Sequence, residues 1–235
     1  MSLKTLVYIL PDEYLIGVAE NKPELINWKK ISHESRLSER FIERFKDKVD
    51  WYYISLSQKL SEPFIEKHAN LVNWDNISSH QELSEEFIEK HADKVNWSYI
   101  SRYQTLSEEF IERHVDDVDW DEISIHQELS EDFIEKYKNF LYLTDVFKHQ
   151  KFSEQFIEKY KYWVSWKVIS EYQKLSESFI EKYKDRVDWY IITKSQKLSE
   201  KFIERHKDDV YWPLIFIYQK VSDDFKKKYE KYGKK

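Results

Sequence analysis

The chain of 235 residues is 41% hydrophobic and 17% aromatic, enough apolar surface for a substantial core, and its two glycines and four prolines argue against a turn-rich β protein or flexible linkers. A formal net charge of −6 gives no global attraction to nucleic acid or anionic membranes, and the lack of cysteine excludes disulfides and thiolate metal sites. No stretch approaches the roughly 20 apolar residues of a membrane span, so a soluble, cytoplasmic protein is expected.

At the start, the apolar run Leu6–Leu10 is cut off by Pro11, Asp12 and Glu13, which makes it too short and too acidic for a signal peptide. Leu10-Pro11-Asp12-Glu13-Tyr14-Leu15 reads as a degenerate copy of a Leu-Ser-Glu-Glu-Phe-Ile pattern. Ile26-Asn27-Trp28 follows as the counterpart of Val-Asn-Trp, after four extra residues around Pro23. From Leu37 the pattern returns every 23 residues without insertion. Its Leu-Ser pairs begin at Leu37, Leu60, Leu83, Leu106, Leu129, Leu175 and Leu198, and Phe152 and Val221 fill the same slot. The tryptophans keep step at Trp28, Trp51, Trp74, Trp97, Trp120, Trp166, Trp189 and Trp212. A fixed short period means units that stack on their neighbours rather than fold alone. The expected fold class is all-α, an α-solenoid of stacked helix-turn-helix repeats forming a single domain. Residues 1–36 form an N-terminal cap and degenerate repeat, 37–220 form eight full repeats, and 221–235 form a partial capping repeat with Lys226 diluting its inner face.

Within the repeat at Leu83, Ser84 is an N-cap, and Glu85 and Glu86 sit at the positive end of the first helix dipole. Phe87, Ile88, His91 and Val95 share one face, which predicts a first (A) helix over about 85–94, braced by Glu86 and Lys90 four residues apart. Asn96 caps a second (B) helix, whose inner face is Trp97, Ile100, Ser101 and Gln104. Both helices are too short to persist alone in water. A tryptophan burying about 200 Å² would contribute about 5 kcal/mol before entropy, so the Trp column is the expected main stabiliser. Ser32, Ser55, Ser78, Ser101, Ser124 and Ser170 read as small residues for close helix approach. The Gln column (Gln58, Gln81, Gln104, Gln127, Gln150, Gln173, Gln196, Gln219) is either a ladder satisfying buried backbone groups or a ligand-reading row. Its invariance favours the ladder.

The motif WxxIS-x-x-Q-x-LSEEFIEK resembles a 23-residue tandem repeat of phage, giant-virus and bacterial proteins, mostly uncharacterised. The likeness covers nearly the whole chain. It implies an α-helical repeat protein, admits a viral origin, and brings no catalytic or binding residues with it.

Catalysis finds no foothold. Two isolated glycines, Gly17 and Gly233, form no phosphate loop. His68, His91, His114 and His206 share a slot with Tyr137, Tyr160 and Tyr183, which is the substitution pattern of a half-buried core position. His126 and His149, in adjacent repeats, leave a metal or pH-switch reading open. A non-enzymatic protein without cofactor or metal is expected.

The informative positions vary within the fixed frame. The first, fifth and eighth residues after each Trp make an outward stripe on the B helix, which is either neutral drift or a ligand face. The stripe carries Tyr52, Arg102 and Tyr190. It is acidic at Asp75, Glu82, Asp121 and Glu128, then basic at Lys148, Lys151, Lys167, Lys174, Lys194, Lys197 and Lys220. Those lysines are candidates for an acidic protein surface or a phosphate backbone. The signature itself lapses around 139–165. Leu143 replaces Trp, Phe147 replaces Ser, and Tyr142 replaces the Asp/Asn cap. Phe140 and Trp163 take a slot usually held by Lys or Asp, with Tyr162 beside. These aromatics either form a partner interface or compensate one another's packing, Trp163 covering the gap left by Leu143. The expected function is protein binding, through Phe140, Tyr142, Tyr162, Trp163, Tyr52, Arg102 and Tyr190. The alternatives are nucleic-acid or nucleotide binding through the lysines, and a structural or self-associating role.

Overall fold

A computed structural model describes residues 12–233. The described residues are helical throughout, with no strand, and the helices come in pairs repeating at the sequence period, so the chain is an α-solenoid. It divides into two compact units, residues 1–122 and 123–235.

Each A helix starts at its serine. Ser84 Oγ accepts from the Phe87 N–H at 3.2 Å and the helix runs Glu85–Lys90. It ends short of the predicted position, because the N–H groups of Lys94 and Val95 both turn back to the His91 carbonyl, at 2.9 and 3.1 Å. That tight reversal delivers Val95 to the core and Asn96 to its cap, where Asn96 Oδ1 accepts from the Tyr99 N–H at 3.3 Å and opens the B helix Trp97–Tyr103. Pro23–Leu25 forms a 3-10 turn that absorbs the extra residues before Trp28. The cap residues Met1–Pro11 and the final Lys234 and Lys235 lie outside the described residues. At the other end Trp212 is enclosed by Phe225, Tyr229 and Tyr232, while Lys226 is exposed in the Ile slot.

Successive B helices are the nearest neighbours within each unit. These are Trp28–Glu34, Trp51–Ser57, Trp74–His80 and Trp97–Tyr103 in the first, and Leu143–His149, Trp166–Tyr172, Trp189–Ser195 and Trp212–Tyr218 in the second. The deepest columns are isoleucine: Ile65, Ile88 and Ile111 on A helices and Ile54, Ile77 and Ile100 on B helices are fully buried, with Phe beside them. The column tryptophans, expected to be the main stabiliser, are half-buried, Trp212 apart. The Trp74 indole N–H donates to the Ala69 carbonyl at 2.9 Å. The Trp74 ring stacks on Phe87 (6.3 Å, 24°) and His91 (5.1 Å) of the next repeat.

Three polar columns tie repeat to repeat. Gln81 Oε1 accepts from the Leu60 N–H at 3.0 Å, and its Nε2 donates to the Ser55 and Gln58 carbonyls at 3.0 and 2.8 Å. The same triple linkage recurs at Gln58, Gln104, Gln196 and Gln219, so this column is a ladder. Ser55 is more than small: its hydroxyl donates to the Trp51 carbonyl (2.7 Å) and accepts from the Asn73 N–H of the next repeat (2.9 Å). In most repeats the Glu that follows the capping serine accepts from the next repeat's serine N–H, as Glu85 does from Ser107 at 2.6 Å. Asp12 Oδ1 accepts from the Ser38 N–H in the same way, at 3.3 Å.

Candidate functional site

The regular repeats leave little chemistry free. A second carboxylate column pairs across repeats: Lys67 and His68 both meet Glu43, at 2.8 and 2.7 Å. Lys90 pairs with Glu66 of the preceding repeat, not with Glu86. In the second unit Lys159, then Tyr160, hold the Glu135 carboxyl down to about 2. Lys182, then Tyr183, hold Glu158 at about 2 likewise. Tyr160 is pushed up, first by burial and then by Glu135. His68, His91 and His206 are buried rather than half-buried, stacked on Trp and Phe rings. His91 has neither ring nitrogen hydrogen-bonded, and burial pushes its pKa down, so it sits neutral in the core.

His149 Nδ1 bonds the Asp145 carbonyl at 2.9 Å. No group of three or more metal-ligating side chains occurs among the described residues. No helix among them is long and apolar enough to cross a membrane.

The predicted stripe is mostly solvent-facing. Tyr52 and Tyr190 are exposed and set edge-on against Tyr53 (5.2 Å) and Tyr211 (5.1 Å). Arg102 is tied to Glu122 at 3.6 Å and lies over the Tyr103 ring. Of the lysines, Lys148 is held by Asp145 at 2.9 Å, which raises its pKa, and Lys151 donates to the Tyr172 carbonyl. Lys167, Lys174, Lys194, Lys197 and Lys220 are exposed and form no ion pair among the described residues.

The lapse at 139–165 resolves into two parts. Phe147 turns inward, fully buried, against Phe152 (4.9 Å) and Phe156 (6.1 Å). It is the packing compensation in this stretch. Trp163 is not, being 75% exposed, as is Tyr162. Phe140 and Tyr142 are 51% and 57% exposed on the preceding repeat. Lys161 and Arg186 lie over the Tyr162 ring, at 5.3 and 5.0 Å. Beneath Trp163 is a hollow of about 200 Å³, lined by Lys138, Asn139, Leu143, Lys159, Tyr160 and Trp163. Sequence reasoning missed it; Ile217, the fifth residue after Trp212 on the stripe, and Tyr218 are exposed beside the lysine row.

These features define a class, the α-helical tandem-repeat proteins with a nearly invariant scaffold and few variable surface groups. No family model, curated protein or solved structure matches the chain.

Proposed function

We propose that the chain is a non-enzymatic protein-binding module, and that Phe140, Tyr142, Tyr162 and Trp163 anchor its partner. The observation that carries this reading is the exposure of four large aromatics on consecutive repeats, at positions where most other repeats place charged or polar residues. Aromatic anchors of this kind supply most of the binding energy of protein interfaces. They are costly to leave in water without a purpose. The module acts in the cytoplasm, and for a chain of viral origin the partner is a host protein. Tyr162→Ser combined with Trp163→Ser is expected to abolish capture of the partner from host extract while leaving the helical circular-dichroism signal unchanged. Undiminished capture overturns the reading.

The five unpaired lysines support a second reading, binding of a polyanion. Such binding weakens linearly with salt on a log–log plot. No binding of single- or double-stranded polynucleotide at low salt removes it.

A further inference from the structure

The hollow under Trp163 is the place where every other full repeat keeps an indole. In the ordinary repeats the B-helix Trp lies on the Phe and His or Tyr of the next repeat, and in some of them a cation from that repeat stands over it. Lys94 stands over Trp74 at 5.9 Å and Arg186 over Trp166 at 5.3 Å. In the repeat at Leu129 the ring is missing, since Leu143 stands in its slot; Phe147 stacks on Phe156 at 6.1 Å, and Tyr160 lines the hollow that remains. The Phe156–Tyr160 platform has a ring separation of 4.7 Å, against 4.8 Å for Phe179–Tyr183, which does carry an indole. The residue at the position of Lys94 and Arg186 is Trp163, which lines the hollow together with Tyr160. Among the lining residues Tyr160 and Trp163 are the counterparts of His91 and Lys94, which flank the Trp74 indole, and the volume of about 200 Å³ exceeds the roughly 150 Å³ apolar cavity that accepts benzene.

We propose that this hollow receives the indole of a tryptophan side chain presented by the protein partner, sandwiched between Tyr160 and Trp163. The proposal deepens the interface reading above and rests on it for the source of the ring. The chain's own repeats are the argument for the ring type, since the same floor already holds an indole elsewhere in the molecule. Charge specifies its neighbour. Lys138 and Lys159 at the rim share one carboxylate, Glu135, at 3.2 and 2.8 Å, so the edge is net positive and favours an acidic residue beside the tryptophan.

The test uses acetyl-Asp-Trp-amide, with free indole as a second probe, titrated into the whole protein by calorimetry and by ligand-observed NMR. The expected result is saturable one-to-one binding of the peptide, with Kd on the order of 1 mM or lower. Leu143→Trp fills the slot from within. It is expected to raise Tm and weaken peptide binding at least about 10-fold. Trp163→Ser, at an exposed position that does not hold the fold, is expected to weaken binding similarly. No saturable binding to the wild type, or equal binding by Leu143→Trp, overturns the proposal. Indole binding without peptide binding overturns the partner-borne source. If the peptide fails while the Tyr162/Trp163 double variant still abolishes partner capture, the interface reading stands and the indole proposal falls.

Discussion

Replacing Gln81 by Leu keeps the bulk of a buried side chain and removes all of its polar function. Gln81 is 6% exposed. It satisfies the Leu60 N–H at 3.0 Å and the Ser55 and Gln58 carbonyls at 3.0 and 2.8 Å. A buried polar group left without a partner costs about 1–3 kcal/mol, and a donor has no second site through which to recover. The two carbonyls, with a spare lone pair each, fall at the low end, so the sum is about 3–5 kcal/mol. Stability in a repeat array is a sum of local and nearest-neighbour contributions. The loss should therefore appear locally, as faster hydrogen exchange at the Leu60 amide, and globally, as a lower urea midpoint. Lys59→Ala, in the same turn but exposed, is the control and should stay within about 0.5 kcal/mol. A Leu60 amide that remains protected, with a global loss below about 1 kcal/mol, would refute the ladder and return the glutamines to the list of ligand contacts.

Ser55→Ala removes the acceptor of the Asn73 N–H at 2.9 Å and is expected to cost about 1–3 kcal/mol in chemical unfolding, although only one oxygen is lost. Phe147→Ser restores the residue most repeats carry, yet it empties a fully buried space beside Phe152 and Phe156; calorimetry should show a loss of about 3–5 kcal/mol rather than a gain. Glu135 and Glu158, both held at about 2, give pH-dependent stability. Because their folded values lie below the ordinary carboxylate value of 4.5, their contribution is whole above that value and is lost as pH falls from there toward about 2. Carboxylate NMR titrations should find midpoints near 2 for these two groups, and Glu135→Gln should flatten the acid limb of the unfolding curve. Midpoints in the ordinary range would show that the inter-repeat pairs do not hold in solution.

Much of the fold can be read from the repeat. The period sets the helix pairs, Ser84 and Asn96 mark the helix starts, and Ile88 and Ile100 mark the buried faces. What one repeat does not contain is the identity of the column it faces across the next interface. For that reason Ser55 looked merely small, although its hydroxyl reaches Asn73. For the same reason Glu86 and Lys90 looked like a pair along one helix, although Lys90 binds Glu66. Side-chain size made the tryptophans the expected main stabiliser, yet the deepest positions belong to isoleucine and the column rings, Trp212 apart, are half-buried. The aromatic surface could be read from the letters, because Phe140 and Trp163 depart from a charged slot. The hollow could not, because it exists only when Leu143 of one repeat meets Tyr160 and Trp163 of the next.

The central claim is that the regular columns build the scaffold and that recognition sits where the pattern lapses. Hydrogen–deuterium exchange of the full chain, with and without the partner recovered by affinity capture, tests this most directly. The account predicts new protection concentrated between residues 138 and 166, with exchange along the first unit unchanged. Protection confined to Lys167–Lys220, or to the exposed B-helix faces of the first unit with none at Tyr162 and Trp163, would contradict it.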